Sequence, residues 1–331
     1  MKVAVKLNKM GLRCPVDKTE HSIFFSLVDY RNNYFTSGNP NKIIEFYKGL
    51  KNRDQLIQWM RERPKGVPYI HEVDGNKEII VVIPTADFNG GYAKECRENI
   101  FKGLHIIFVE SGGPGDFYFN SAHYINVGIK KAMEYDPKWV IYSGDDMYKI
   151  DDISVLYKQL TNLNNKNINT VYTKPSNYHS HNVRFAKPNI LFYLYFYISS
   201  GIYRNLRGAT KLNGLQIEYD QVPYDSKISY LFKKGYKFIN YESFGIFSSN
   251  YIRSLDCKLL DETFINAGED VDVSLKLSLN QERLAVIDYK IGNEIGGTLG
   301  NGVQRALRTH AGRVYLNYKW EKTIDKILNK K

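Results

Sequence analysis

Ile79-Ile80-Val81-Val82-Ile83 is an unbroken apolar run that stops at Pro84-Thr85. A strand with one face in water alternates apolar and polar residues. A run without polar interruption is buried on both faces, as in a parallel sheet covered by helices. Two more such runs follow: Leu104–Val109, which stops at Glu110-Ser111, and Trp139–Tyr142, which stops at Gly144-Asp145-Asp146. Helical stretches separate them, one over Tyr92–Phe101 and one whose face is marked by Ala122, Ile125, Ile129, Ala132 and Met133. Strand–helix–strand–helix–strand predicts the nucleotide-binding half of a doubly wound α/β fold, with ligands beyond the carboxyl ends of the strands. All three ends are polar or acidic: Thr85 and Asp87, Glu110 and Ser111, Asp145 and Asp146.

Residues 1–77 read as a small N-terminal α/β extension without a catalytic pattern. Val3, Val5 and Leu7 suggest one strand and Ile23–Val28 another. Ile43, Ile44, Phe46, Tyr47 and Leu50 follow helical spacing, Leu56, Ile57, Trp59 and Met60 resume it, and Pro64-Lys65-Gly66 ends it. Asp74-Gly75-Asn76 reads as a turn. The remainder divides into a nucleotide-binding half at 78–148, an acceptor half at 149–300 and a basic tail at 301–331. In the acceptor half Phe238–Tyr241 looks like a strand, while Val273, Leu275, Leu277 and Leu279 fit helix and strand equally.

A net charge of +11 favours anionic partners, among them nucleotide phosphates and anionic membrane surfaces. The positive charges are scattered and match no nucleic-acid-binding motif, so nucleic acid is not expected. Cys14, Cys96 and Cys257 are far apart and form no Cys-x-x-Cys pair, which argues against a disulfide framework or a cysteine zinc site and fits a reducing, cytoplasmic setting. The first residues carry no apolar h-region, so no signal peptide is expected. The apolar stretch Ile190–Tyr203 has 14 residues, short of the roughly 20 a spanning helix needs. The basic residues from Arg305 to Lys331 suggest peripheral docking on anionic lipid as an alternative to a solvated helical face.

Three constellations carry chemistry. Asp145-Asp146 at a strand end suits Mg²⁺ or Mn²⁺, which bridge diphosphates, and also suits a plain turn. Gly268-Glu269-Asp270-Val271-Asp272 offers a general base and also reads as an acidic helix start. Glu110-Ser111-Gly112-Gly113 can accept hydrogen bonds from a base or ribose, or form an ordinary loop. His179-Ser180-His181 has no companion ligands nearby and is expected on an exposed loop.

Taken in order, Val82-Ile83-Pro84-Thr85, Glu110-Ser111, Asn126-Val127-Gly128-Ile129 and Gly144-Asp145-Asp146 resemble the family-two-type inverting glycosyltransferases of the GT-A fold. Phe244-Gly245-Ile246-Phe247, Leu260-Asp261-Glu262-Thr263-Phe264, Glu269-Asp270-Val271-Asp272 and Gly296-Gly297-Thr298 are similar to that family's acceptor-side block, and Tyr315–Trp320 to a tail of some members. The resemblance covers roughly 79–320 and implies a Rossmann-like GT-A nucleotide-diphospho-sugar transferase fold. It implies a nucleotide-diphosphate sugar as donor, a glycan, lipid-linked or protein acceptor, and Mn²⁺ or Mg²⁺. Thr85, Asp87 and Glu110 would hold the nucleoside, with Pro84, Ser111 and Asn126 completing the donor site. Asp145 would touch ribose or diphosphate, Asp146 would bind the metal, and Asp270 would deprotonate the acceptor hydroxyl. Gly144 stands where many members carry the first acid of a three-carboxylate run. Glu294 is the best match to their histidine before Gly-Gly, with His310 as the other candidate. A sugar-phosphate nucleotidyltransferase is the first alternative, but Ala86–Gly91 lacks the basic residue expected of its phosphate loop. A non-enzymatic nucleic-acid-binding protein, suggested by the charge and the many aromatics, is the lesser one.

Overall fold

The protein is described from a computed structural model that places residues 39–111, 119–163, 167–174, 180–191, 211, 213–223, 229–265, 267–294 and 303–330. The strands expected at Val3–Leu7 and Ile23–Val28, Cys14, the Gly112-Gly113 and Gly296-Gly297-Thr298 segments, His179 and most of the 190–203 run lie outside the described residues.

The three apolar runs form β2 (Asn76–Thr85), β3 (Leu104–Glu110) and β4 (Trp139–Ser143). They lie side by side and parallel at the heart of a seven-stranded sheet. Its order is β1 (Tyr69–Val73), β3, β2, β4, β10 (Phe244–Ser248), β6 (Thr170–Thr173), β11 (Leu284–Ile287). Only β1 and β10 run against the others, so the sheet is mostly parallel and the fold is mixed α/β. The unbroken apolar character of β2 has a direct cause. Ile79, Val81 and Ile83 point into one core with Ile106, Phe108 and Ile141, while Ile80 and Val82 point into a second with Ile107, Val109 and Val140.

The second core is closed by α4 (Ser121–Ala132), through Ala122, Ile125 and Ile129. A Cβ on Gly128 of this helix would stand 2.3 Å from Val82 Cγ1 and 2.8 Å from Val109 Cγ2, so only glycine permits so close a helix–sheet approach. The first core is closed by α5 (Ile153–Thr161) and by α3 (Gly91–Glu95), which continues as a single π turn over Cys96–Ile100.

A third core joins α1 (Pro40–Gly49), α2 (Arg53–Glu62) and the long helix α8 (Val303–Asn329). A small antiparallel sheet of β8 (Asp220–Pro223), β7 (Ser180–Pro188) and β9 (Phe232–Tyr241) also contributes to it. A boundary at residue 78 is therefore corrected. It would fall inside β2, and β1, from the supposed extension, pairs with β3 and covers a sheet edge that would otherwise be unpaired. Tyr47 also donates to the Leu307 carbonyl at 2.9 Å, tying α1 to α8.

Helix α7 (Glu269–Leu279) lies between two cores: Val271 and Leu275 enter the third, Val273 and Leu277 the second. A short ribbon pairs β5 (Met147–Lys149) with β12 (Ile291–Asn293), and α6 (Ser249–Ser254) follows β10. No helix among the described residues is long and apolar enough to cross a membrane.

Candidate active site

The parallel register sets Thr85 beside Glu110, and β4 brings Asp145 alongside. Thr85 Oγ1 donates to Asp145 Oδ2 at 2.8 Å, and both residues are buried. The π turn aims Cys96 Sγ at the Asp145 carbonyl, 3.3 Å away, and places the irregular helix segment under the Gly144-Asp145-Asp146 corner. Burial raises the Cys96 thiol far above its usual range, so this cysteine is inert.

Asp87 is exposed and organises the turn into α3, its Oδ1 accepting from the Asn89 amide at 2.9 Å. Pro84 is half-buried in β2, opposite Val109. Ser111 is buried, its amide donating to the Thr85 carbonyl at 2.9 Å. Glu110 is held by the Phe88 amide at 3.0 Å and by His71 Nε2 at 2.7 Å. Burial acts to raise the Glu110 pKa, but these two hydrogen bonds and the charge of His71 hold it below the usual carboxylate range. The His71 ring stacks on Phe88 with centroids 4.3 Å apart, which makes a flat wall beside β2 and β3.

Asp146 meets the β5–β12 ribbon. The Glu294 amide donates to its carbonyl at 2.8 Å, and Asn293 Nδ2 reaches its Oδ1 at 3.4 Å and Ser243 Oγ at 3.1 Å. Tyr92, from α3, donates to Glu294 Oε2 at 2.8 Å. Its hydroxyl pKa is raised, first by that hydrogen bond, then by desolvation and by the charges of Glu294, Asp146 and Asp145. Of the acids flagged in the sequence, Glu294 bonds this phenol directly and Asp146 and Asp145 act on it through their charge. Among the described residues no three of His, Cys, Asp or Glu close on one point as a metal shell. Mg²⁺ takes as few as one or two carboxylates and completes its octahedron with water and substrate phosphate, so Asp146 and Glu294, joined through their main chains, are the residues that could hold one.

Asp270 stands in the first turn of α7, after Gly268, whose φ of 89° is open to glycine at little cost. Its Oδ2 accepts from Asn240 Nδ2 at 3.2 Å. Burial, and next the charge of Glu242, push its pKa up to about 7, against the pull of Asn240 and the first-turn amides. Asp270 is half-buried, while Glu269 is buried, accepts from Ser121 Oγ, and is pushed up to about 7 by burial and then by Asp270.

The corner from Asn240 to Ser243 is bonded to both acidic segments. Ser243 O accepts from the Gly144 amide at 2.8 Å, Glu242 O accepts from Tyr142 OH at 3.2 Å, and Asn240 holds Asp270. Burial raises the Tyr142 hydroxyl well above its usual range, and the charges of Glu269, Asp270, Glu242 and Asp146 add to this. One β4 side chain therefore feels both ends of the site. Tyr92, Tyr142, Asn240 and Glu242 were not flagged in the sequence. Tyr142, three residues before Asp145, carried the only local signal.

The structure corrects the placement of Asn126 and of His181, and it favours the structural reading of His310. Asn126 is not at the strand ends. Its Nδ2 donates to Leu260 O at 2.8 Å and Glu262 Oε1 at 3.1 Å, and its Oδ1 accepts from the Leu260 amide at 3.0 Å. Its amide is occupied in fastening the 260–262 segment to α4. His310 is buried, hydrogen-bonded to Leu215 O at 3.0 Å, edge-on to Tyr47 and pushed down to about 4 by burial, a core histidine rather than a metal ligand. His181 lies on strand β7 opposite Asn240, not on an exposed loop, and its Nε2 is 3.7 Å from Glu242 Oε1. No protein-family model matches the chain, and no curated protein matches it.

Proposed function

We propose that the protein is an inverting glycosyltransferase that moves a sugar from a nucleotide-diphosphate sugar to an acceptor hydroxyl. What supports this reading is a raised-pKa carboxylate, Asp270, held by Asn240 at one end of a corner whose other end, Ser243, accepts from the Gly144 amide beside Asp145 and Asp146. A general base works best with a pKa near the operating pH, and burial supplies that here. In this reading Asp270 takes the proton of the acceptor hydroxyl as its oxygen bonds to the anomeric carbon. The bond from that carbon to the diphosphate oxygen breaks with inversion, and the nucleoside diphosphate departs. Asp146 and Glu294 would hold Mg²⁺ or Mn²⁺, which supplies charge neutralisation to the leaving diphosphate. Thr85, Asp145 and the His71–Phe88 wall would position the nucleoside, and Asn240 keeps the Asp270 carboxylate aimed. The absence of a basic phosphate loop after β2 weighs against nucleotidyl transfer.

The test is a panel of UDP-, GDP- and dTDP-sugars with Mn²⁺ or Mg²⁺, read by calorimetric binding and donor hydrolysis. The reading requires one donor to be bound and turned over, with Asp146→Ala losing metal-dependent binding. No binding of any donor to the native chain overturns it.

A further inference from the structure

A second cleft, of about 660 Å³, opens on the other side of α7 from Asp270. Asp272, Lys276 and Asn280 line it, spaced by four residues and so stacked on one helix face. Asp270, two residues before Asp272, points about 200° away around the same helix. The cleft is therefore separate from the strand-end site.

Three carboxylates face this cleft, and each is ion-paired, with Lys319 shared between two of them. Asp272, almost fully buried, accepts from Lys319 Nζ at 2.8 Å and Trp320 Nε1 at 2.6 Å. Asp261 accepts from Lys319 Nζ at 2.8 Å and Tyr315 OH at 2.9 Å. Glu262 pairs with Lys65 at 2.9 Å and His123 at 3.1 Å. Two further lysines line the same cleft, Lys258 from the loop after α6 and Lys276 from α7, and neither has an acidic partner among the described residues. With Lys258 and Lys276 the lysines of the lining outnumber its carboxylates, and the two ammonium groups without an acidic partner offer contacts to an anion such as a phosphate. The volume is that of a small-molecule site. Thr263, Asn280 and the half-buried Trp320 supply the polar contacts and flat ring that a sugar uses.

We propose that this cleft is a binding site for a small sugar phosphate, with Lys258 and Lys276 on the phosphate and Trp320 beside the sugar. The site is independent of the donor site and does not need the metal. Its test is a titration of the full chain with glucose 6-phosphate in EDTA, followed by calorimetry and tryptophan fluorescence. Saturable binding is expected, at least 10-fold weaker in the double variant Lys258→Gln/Lys276→Gln and unchanged in Asp146→Ala. Each single lysine variant is expected to weaken binding several-fold, which keeps the test readable should the double variant fold poorly. The proposal is overturned by absence of saturable binding, by equal binding of glucose, by lysine variants that bind like the native chain, or by loss of binding in Asp146→Ala.

Discussion

Thr85 and Asp145, sixty positions apart, share a buried hydrogen bond of 2.8 Å that joins the carboxyl ends of β2 and β4. Removing a donor from a buried carboxylate leaves its desolvation uncompensated, which costs about 1–3 kcal/mol. Thr85→Val keeps the shape and removes the donor. Urea denaturation should show that loss of stability, and calorimetry should show weaker binding of the donor identified by the panel.

Asp270→Asn keeps a side chain of the same size beside Asn240 and removes the base. Donor binding should survive while turnover falls by about 10²–10⁴-fold, the usual contribution of general base catalysis. In the native chain, with Asp270 pushed up to about 7, kcat should fall as the pH drops below about 7, because protonation disables the base. A turnover rate in Asp270→Asn equal to that of the native chain would remove Asp270 from the chemistry.

Glu269 is pushed up to about 7 from 4.5, so its linkage to stability has a definite sign. A carboxyl that is harder to ionise when folded leaves stability intact below the unfolded value, and stability is lost as pH rises through the folded one. Glu269→Gln can retain a hydrogen bond with Ser121 and abolishes this loss. Thermal melts should show the variant gaining a few degrees on the native chain at pH 8 and little or nothing at pH 4.

Gly128→Ala puts a methyl where Val82 Cγ1 is 2.3 Å away. Alanine is the better helix former by about 1 kcal/mol, but overpacking costs typically about 1–3 kcal/mol. With two β-branched neighbours in a central sheet, the clash should win. A lowered melting temperature is the expected result, and an unchanged or raised one would mean that α4 can move away from the sheet freely.

Much of this architecture was legible because burial on both faces leaves a mark in one dimension. The runs at Ile79, Leu104 and Trp139 became the three central parallel strands, and the spacings after Ile43, Leu56 and Ala122 became α1, α2 and α4. Helix α7 was ambiguous for a physical reason. Its apolar residues at 271, 273, 275 and 277 alternate like a strand, because a helix caught between two cores buries alternate residues on opposite sides. Asn126 was misplaced because a motif gives an order along the chain but no direction for a side chain.

By itself the sequence determined the strand–helix alternation, the sheet's buried centre and the acids at the strand ends, since each depends on hydrophobic periodicity and turn chemistry over a few neighbouring residues. Tertiary structure decided the rest. It put β1 in the main sheet, set Tyr92 on Glu294 and Asn240 on Asp270, and raised Asp270 toward neutrality. Those outcomes depend on which distant groups meet and how much water they exclude. The Tyr92–Glu294 pair spans 202 positions, and no local pattern encodes it.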